Sequence, residues 1–158
     1  MGNSKNTLMK ATLRIFLSIL MMGVLTNTYS QEKTEIIFHK PANPERAKAP
    51  FSEAVQAGNL FFLAGQIGMD RSVGKLADGG IQGETEQTIK NIQGVLKHHG
   101  LSLDNVVKCT VILSDINDFK AFNEIYTQYF TKKPARTTFA AKDLAAGAKI
   151  EIEVMAIR

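Results

Sequence analysis

The spacing of apolar and polar residues changes several times along this chain, and each change marks an element. Glu35-Ile36-Ile37-Phe38-His39 predicts a short strand, ended by the proline-punctuated stretch from Lys40 to Pro50. Glu53 to Ala57 and Leu60 to Ala64 are short apolar runs joined by Gly58-Asn59, a dipeptide that tolerates the positive φ of a hairpin turn. Gly65, Gly68, Gly74, Gly79, Gly80 and Gly83 then punctuate a polar stretch with no phosphate-binding spacing, which reads as a surface loop. From Glu84 to His99 the apolar positions Ile89, Ile92, Val95 and Leu96 recur at helical intervals, with Lys97 and two histidines late and Gly100 as the stop.

The second half repeats the alternation of periods. Val106 to Leu113 is β-branched, and a regular pleat places Val107, Cys109, Val111 and Leu113 on one face, which makes Cys109 a core filler and not a nucleophile. Asp118 is placed to cap a helix carrying Phe119, Phe122, Ile125, Tyr126, Tyr129 and Phe130, an aromatic stripe that reads as core. Pro134 ends that helix, and two strands follow, Arg136 to Ala141 and Ala148 to Ile157, joined by Asp143-Leu144-Ala145-Ala146-Gly147. The order β-β-β-α-β-α-β-β predicts an α+β fold, a sheet with both helices on one face. In Ile150-Glu151-Ile152-Glu153-Val154 the carboxylates take one side and the aliphatics the other, so the carboxylate side faces solvent, a partner subunit or a cleft.

Arg136 and Glu151 stand on consecutive strands, and two readings of them are open. One is a structural ion pair across adjacent strands. The other is a site, because an arginine fork matches a carboxylate in two parallel hydrogen bonds while a held glutamate can deprotonate water.

The N-terminus is a separate matter. Residues Met1 to Arg14 carry Lys5, Lys10 and Arg14 and no acid, and Ile15 to Leu25 is almost wholly apolar before the small and polar Thr26 to Ser30. That order is that of a secretory signal over residues 1–30, cleaved after Ser30, and the apolar run is shorter than the ~20 residues of a spanning helix. The expectation is an exported protein, periplasmic or secreted, with one domain over residues 31–158 and no membrane attachment after cleavage. Loss of the signal leaves sixteen basic against fifteen acidic residues, so the formal charge of +4 falls near +1. The lysines are scattered among acids, which argues against nucleic acid as a partner. One cysteine excludes an internal disulfide, and His39, His98 and His99 have no metal-ligand spacing. Ser52 has no histidine in a triad context to activate it.

From about Pro50 to the end the chain resembles the Rid family of reactive intermediate imine/enamine deaminases. The resemblance is carried by Phe51-Ser52-Glu53-Ala54-Val55, Ala64-Gly65-Gln66-Ile67, Val106-Val107-Lys108-Cys109-Thr110-Val111, Asp118-Phe119 with Asn123-Glu124-Ile125-Tyr126, Pro134-Ala135-Arg136 and Ile150-Glu151-Ile152-Glu153, in that order. It implies a chorismate mutase-like mixed sheet, a homotrimer with active sites between subunits, and hydrolysis of 2-imino or enamino acids to 2-keto acids and ammonia without metal or organic cofactor. It further implies that Arg136 grips the substrate carboxylate and Glu151 holds the attacking water. Gly65 would orient the substrate through its backbone amide, and Asn123, Phe51 and Thr138 would face the pocket. The chain has Phe51, Ala64 and Thr138 where many deaminating members have tyrosine, serine and cysteine, which removes two possible hydrogen bonds. That difference and the export signal leave a second class of function open, a non-catalytic trimeric module that binds small ligands or protects proteins. A third, ribonuclease, has neither a basic face nor a placed histidine pair to support it.

Overall fold

In the computed structural model, which describes residues 33–41 and 48–158, the apolar runs of the first half become β1 (Ile36–His39), β2 (Ala54–Ala57) and β3 (Leu60–Leu63). The N-terminal signal expected over residues 1–30 lies outside the described residues. The hairpin turns at Gly58, whose φ of 61° is the left-handed backbone expected of that dipeptide. The glycine-punctuated stretch is not wholly loop. It contains three two-residue strands, β4 (Gln66–Ile67), β5 (Met69–Asp70) and β6 (Lys75–Leu76), too short to leave a periodic signal.

Helix α1 (Gly80–His98) starts four residues before Glu84. Gly83 explains why the pattern hid that turn: a Cβ there would overlap the carbonyl of Asp78, so a residue with low helix propensity occupies a helical position for steric reasons. The C-terminus ends as expected. Gly100 has φ 69°, its N–H donates to the Lys97 carbonyl at 3.0 Å, and Leu101 N–H donates to the Leu96 carbonyl at 2.8 Å. These two bonds satisfy carbonyls that the helix end leaves open.

Strand β7 (Val106–Leu113) corrects the expected alternation. A bulge falls between Val106 and Lys108, so Val107 is the extra residue. Val106 is buried and Val107 is 44% exposed, because a bulge shifts every side chain on one side of it to the other face. Helix α2 (Phe119–Tyr129) follows, and Asp118 makes no side-chain cap to it; Asp115 instead accepts from Asn117 N–H and caps the preceding 3₁₀ turn. The last strands are β8 (Ala135–Ala140) and β9 (Ile150–Ile157).

The strands lie in the order β1-β2-β3-β9-β7-β8, antiparallel except for the parallel β7–β8 pair, and β4 continues the β3 side of β9. This is the mixed-sheet α+β architecture expected. Strands β8 and β9 are not neighbours; β7 separates them. Both helices cover one face, where Ile89, Ile92, Leu96 and Phe122 pack on Phe61, Cys109, Val111, Leu113, Ile150, Ile152 and Val154, all at most 2% exposed. Each such aliphatic or aromatic side chain contributes on the order of 1.5–3 kcal/mol by leaving water.

One buried polar contact ties the layers together: Glu84 on α1 is 5% exposed and its carboxylate accepts the Lys149 N–H at 2.8 Å. That bond anchors the start of β9, the strand that carries Glu151. Among the described residues no helix covers the opposite face of the sheet, which presents Ile36 (58% exposed), Phe38 (68%), Phe62, Phe139 and Ile157 with Glu151 and Glu153.

Candidate functional site

Arg136 enters the structure as the second residue of β8, paired with Cys109 of β7. Parallel pairing puts the two side chains on the same face, the helix-covered one, and Cys109 there is fully buried with its thiol pushed up by burial, which makes it an inert filler. The guanidinium therefore lies against α2. Its carbon sits 4.5 Å from the ring centroid of Tyr126, 5.2 Å from Phe122 and 5.6 Å from Phe119, and Nη1 donates to Asn123 Oδ1 at 2.8 Å. Aromatic faces attract a cation without neutralising it, and Asn123 fixes the plane of the fork. No acidic side chain among the described residues pairs with Arg136. Its remaining donors border a cavity of about 580 Å³ lined also by Asn123, Tyr126, Thr127, Phe130 and Lys133.

The aromatic stripe of α2 thus has two jobs. Phe122 and Tyr126 are core, and the same rings are the bed on which Arg136 lies. The Tyr126 hydroxyl is buried beside the Cys109 thiol and the Arg136 guanidinium, and burial, with the thiol second, pushes the phenol far above its ordinary range, so the ring stays neutral beneath the guanidinium. The i, i+3 and i+4 spacing of Phe119, Phe122, Asn123 and Tyr126 is the signal that could have found this bed from sequence; taken alone it reads only as a core stripe. Thr138, two residues along β8, shares the face of Arg136, and its hydroxyl is buried with no partner among the described residues.

Glu151 is reached by a different route. It pairs with Ile67 of β4 on one side and Ile112 of β7 on the other, on the face turned away from α1 and α2. Between Phe62 opposite Met155 and Gln66 opposite Ile152, the β3–β4 side uses one more residue than β9, so the chain bulges at Leu63-Ala64-Gly65. The bulge brings the Gly65 backbone against the carboxyl group: a Cβ at Gly65 would lie 2.9 Å from Glu151 Cδ, 3.1 Å from Cγ and inside the envelope of Oε1. Burial pushes the Glu151 carboxyl above its ordinary value, and the like charge of Glu153 adds to the shift. A carboxylate so raised is a stronger base for water.

The structure therefore sorts the sequence-derived residues into two groups. Arg136, Asn123 and Thr138 lie together on the helix side, and Gly65 and Glu151 lie together on the other. Phe51 is 50% exposed on the loop ahead of β2 and is not part of the Arg136 cavity. An ion pair across adjacent strands is ruled out for Arg136 and Glu151. Arg136 meets β7 at Cys109 and Glu151 meets it at Ile112, an odd separation, so the two side chains of one chain point to opposite faces.

Fold and site together define a class: α+β proteins with two helices on one face of a mixed sheet, an unneutralised arginine on that side and a raised glutamate on the other. The chain belongs to the endoribonuclease L-PSP family, the Rid family, whose match covers residues 41–158. A human 2-iminobutanoate/2-iminopropanoate deaminase is 47% identical over 113 residues, 71% of this chain and 82% of the human protein. The chloroplastic Reactive Intermediate Deaminase A of Arabidopsis thaliana is 40% identical over 133 residues, 84% of this chain and 70% of the plant protein. Among solved structures, the YjgF gene product of E. coli has a TM-score of 0.67 and 30% identity, covering 76% of this chain and 94% of its own.

Proposed function

We propose that this protein hydrolyses 2-imino acids, and the enamines that tautomerise to them, to 2-keto acids and ammonia. The observation that carries the reading is Arg136: a guanidinium held by Asn123 over three rings, with no acid to neutralise it and a cavity at its open side. Such a group holds a carboxylate in a fixed orientation and leaves the adjacent C=N carbon in one place. The names of the human and plant relatives point to the same chemistry.

Glu151 supplies the proton handling. Ionised, it takes a proton from water as the oxygen bonds to the iminium carbon and the C=N π pair passes to nitrogen. The protonated Glu151 then returns that proton to the amine, the C–N bond breaks, and ammonia leaves as the hydroxyl proton is released and the C=O bond forms. The Gly65 backbone against the carboxyl fixes where that exchange occurs.

Arg136 and Glu151 of one chain face opposite ways, so a site using both takes them from two copies. A homotrimer with sites between subunits meets that need and gives the apolar residues of the uncovered face a partner. Export directed by residues 1–30, with the mature domain over 31–158, belongs to the same proposal; fractionating cells that express the full chain tests it.

The experiment measures keto-acid release from 2-iminobutanoate or 2-iminopropanoate generated in situ. The purified protein should accelerate it and Arg136→Ala should abolish the effect; a rate no higher than buffer would refute the deaminase. Mixing Arg136→Ala with Glu151→Gln, each inactive alone, then tests the shared site. Random assembly restores about a quarter of wild-type activity if each site draws on two subunits, and none if it draws on one. Binding of keto acids without turnover would instead favour the ligand-binding module, the reading motivated by a phenyl ring at Phe51 and a methyl at Ala64.

A further inference from the structure

The cavity beside Arg136 holds a second cation that the deamination chemistry does not use. Lys133 lines it, and among the described residues no acidic side chain pairs with this lysine. Lys132, next to it, does not line the cavity. The backbone at Lys133 is unusual as well. Its φ is 54°, and the only other described residue with a Cβ in the left-handed region is Ala146. Glycine or asparagine suits that conformation better than lysine, so the turn itself does not call for a long cationic side chain. The turn is closed by Lys133 N–H donating to the Phe130 carbonyl at 3.1 Å, and Pro134 follows directly. Phe130, buried, forms the wall between this turn and Tyr126, whose ring stacks on it at 4.4 Å. The result is a strained turn that holds Lys133 beside a cavity that the unneutralised Arg136 also lines.

Two cations on one cavity with no acid between them favour a ligand with two anionic groups. Building on the deaminase reading, we infer that Lys133 selects dicarboxylic substrates, the imines of aspartate- and glutamate-type amino acids. Arg136 takes the carboxylate next to the imine carbon and Lys133 takes the carboxylate at the end of the side chain. The wall of Tyr126, Phe130 and Pro134 accommodates the methylenes between them. A monocarboxylic imine engages Arg136 alone and leaves the lysine solvated.

The test compares imines made in situ by oxidation of aspartate and of alanine, with semicarbazide as the competing trap. Wild type should show the higher kcat/KM on the dicarboxylic imine. Lys133→Asn, which suits the left-handed backbone and keeps the turn, should lower the ratio of dicarboxylic to monocarboxylic kcat/KM about tenfold, the loss of one charge-assisted hydrogen bond, chiefly through KM. Lys132→Asn should leave the ratio as it is. An unchanged ratio in Lys133→Asn overturns the inference. If wild type turns over neither imine, the deaminase reading has failed, and calorimetry with 2-oxoglutarate and 2-oxobutanoate decides this one. Tighter binding of the dicarboxylate that disappears in Lys133→Asn upholds it, and equal binding overturns it.

Discussion

Replacing Gly65 by alanine separates the site from the fold. The new Cβ would stand 2.9 Å from Glu151 Cδ and 3.1 Å from Cγ, against an ordinary carbon–carbon contact of about 3.5–4.0 Å, so the carboxyl group must retreat by about 1 Å. A displacement of that size in a catalytic group costs roughly 10²-fold in rate. The stability effect is small, because every atom met belongs to the far end of a flexible side chain and Gly65 is not among the glycines with positive φ. Moving Glu151 off its rotamer costs about 0.5–1.5 kcal/mol, a fall in Tm of no more than about 6 °C. Gly68→Ala is the counterpart. Its Cβ would meet Glu84 Cα at 2.7 Å, backbone that cannot step aside, so it should unfold the protein more easily by about 1–3 kcal/mol. The assays are kcat/KM on 2-iminobutanoate and thermal melting of the same samples. A Gly65→Ala protein with activity within about twofold of wild type refutes the assignment of water handling to a carboxyl group held against Gly65, since a 1 Å shift of the reacting base is not tolerated.

Arg136→Lys keeps the charge but loses the bidentate fork and the stacking on Tyr126 and Phe122, so kcat/KM should fall by about 10²-fold with melting little changed. The acid limb of the pH–rate profile should lie above the ordinary glutamate value of 4.5, because burial first and Glu153 second raise the Glu151 carboxyl; Glu153→Gln should move that limb to lower pH. The same shift sets a sign for stability. A carboxyl whose folded pKa is raised loses stabilisation as pH rises through that value, so Glu151→Gln should melt higher than wild type at pH 7, and the gain should vanish in acid. Glu84→Ala leaves the Lys149 N–H without its acceptor and should cost about 2 kcal/mol in denaturant unfolding.

Much of this was legible in the chain itself. Periods of two and near four, with Gly58-Asn59, Gly100 and Pro134 as punctuation, placed most strands and both helices, since those signals come from local sterics and from one-sided burial. Arg136 and Glu151 stood out as a fork and a carboxylate on consecutive strands, a pattern that fits an ion pair as readily as a site until the family resemblance is added. The errors share a cause. Val107, Gly83 and the Leu63–Gly65 bulge are positions where a neighbouring strand or turn overrides the local pattern.

By itself, then, the sequence determined most of the elements and the α+β class, and it singled out an arginine and a glutamate as candidates for binding and proton transfer. Only the tertiary structure decided where those residues face. Inserting β7 between β8 and β9 turns an apparent neighbouring pair into groups on opposite faces of one sheet. Strand order is set by packing between segments far apart in the chain, which no local period encodes. The bed of rings under Arg136, the backbone against Glu151 and the lysine that lines the cavity follow from that same packing.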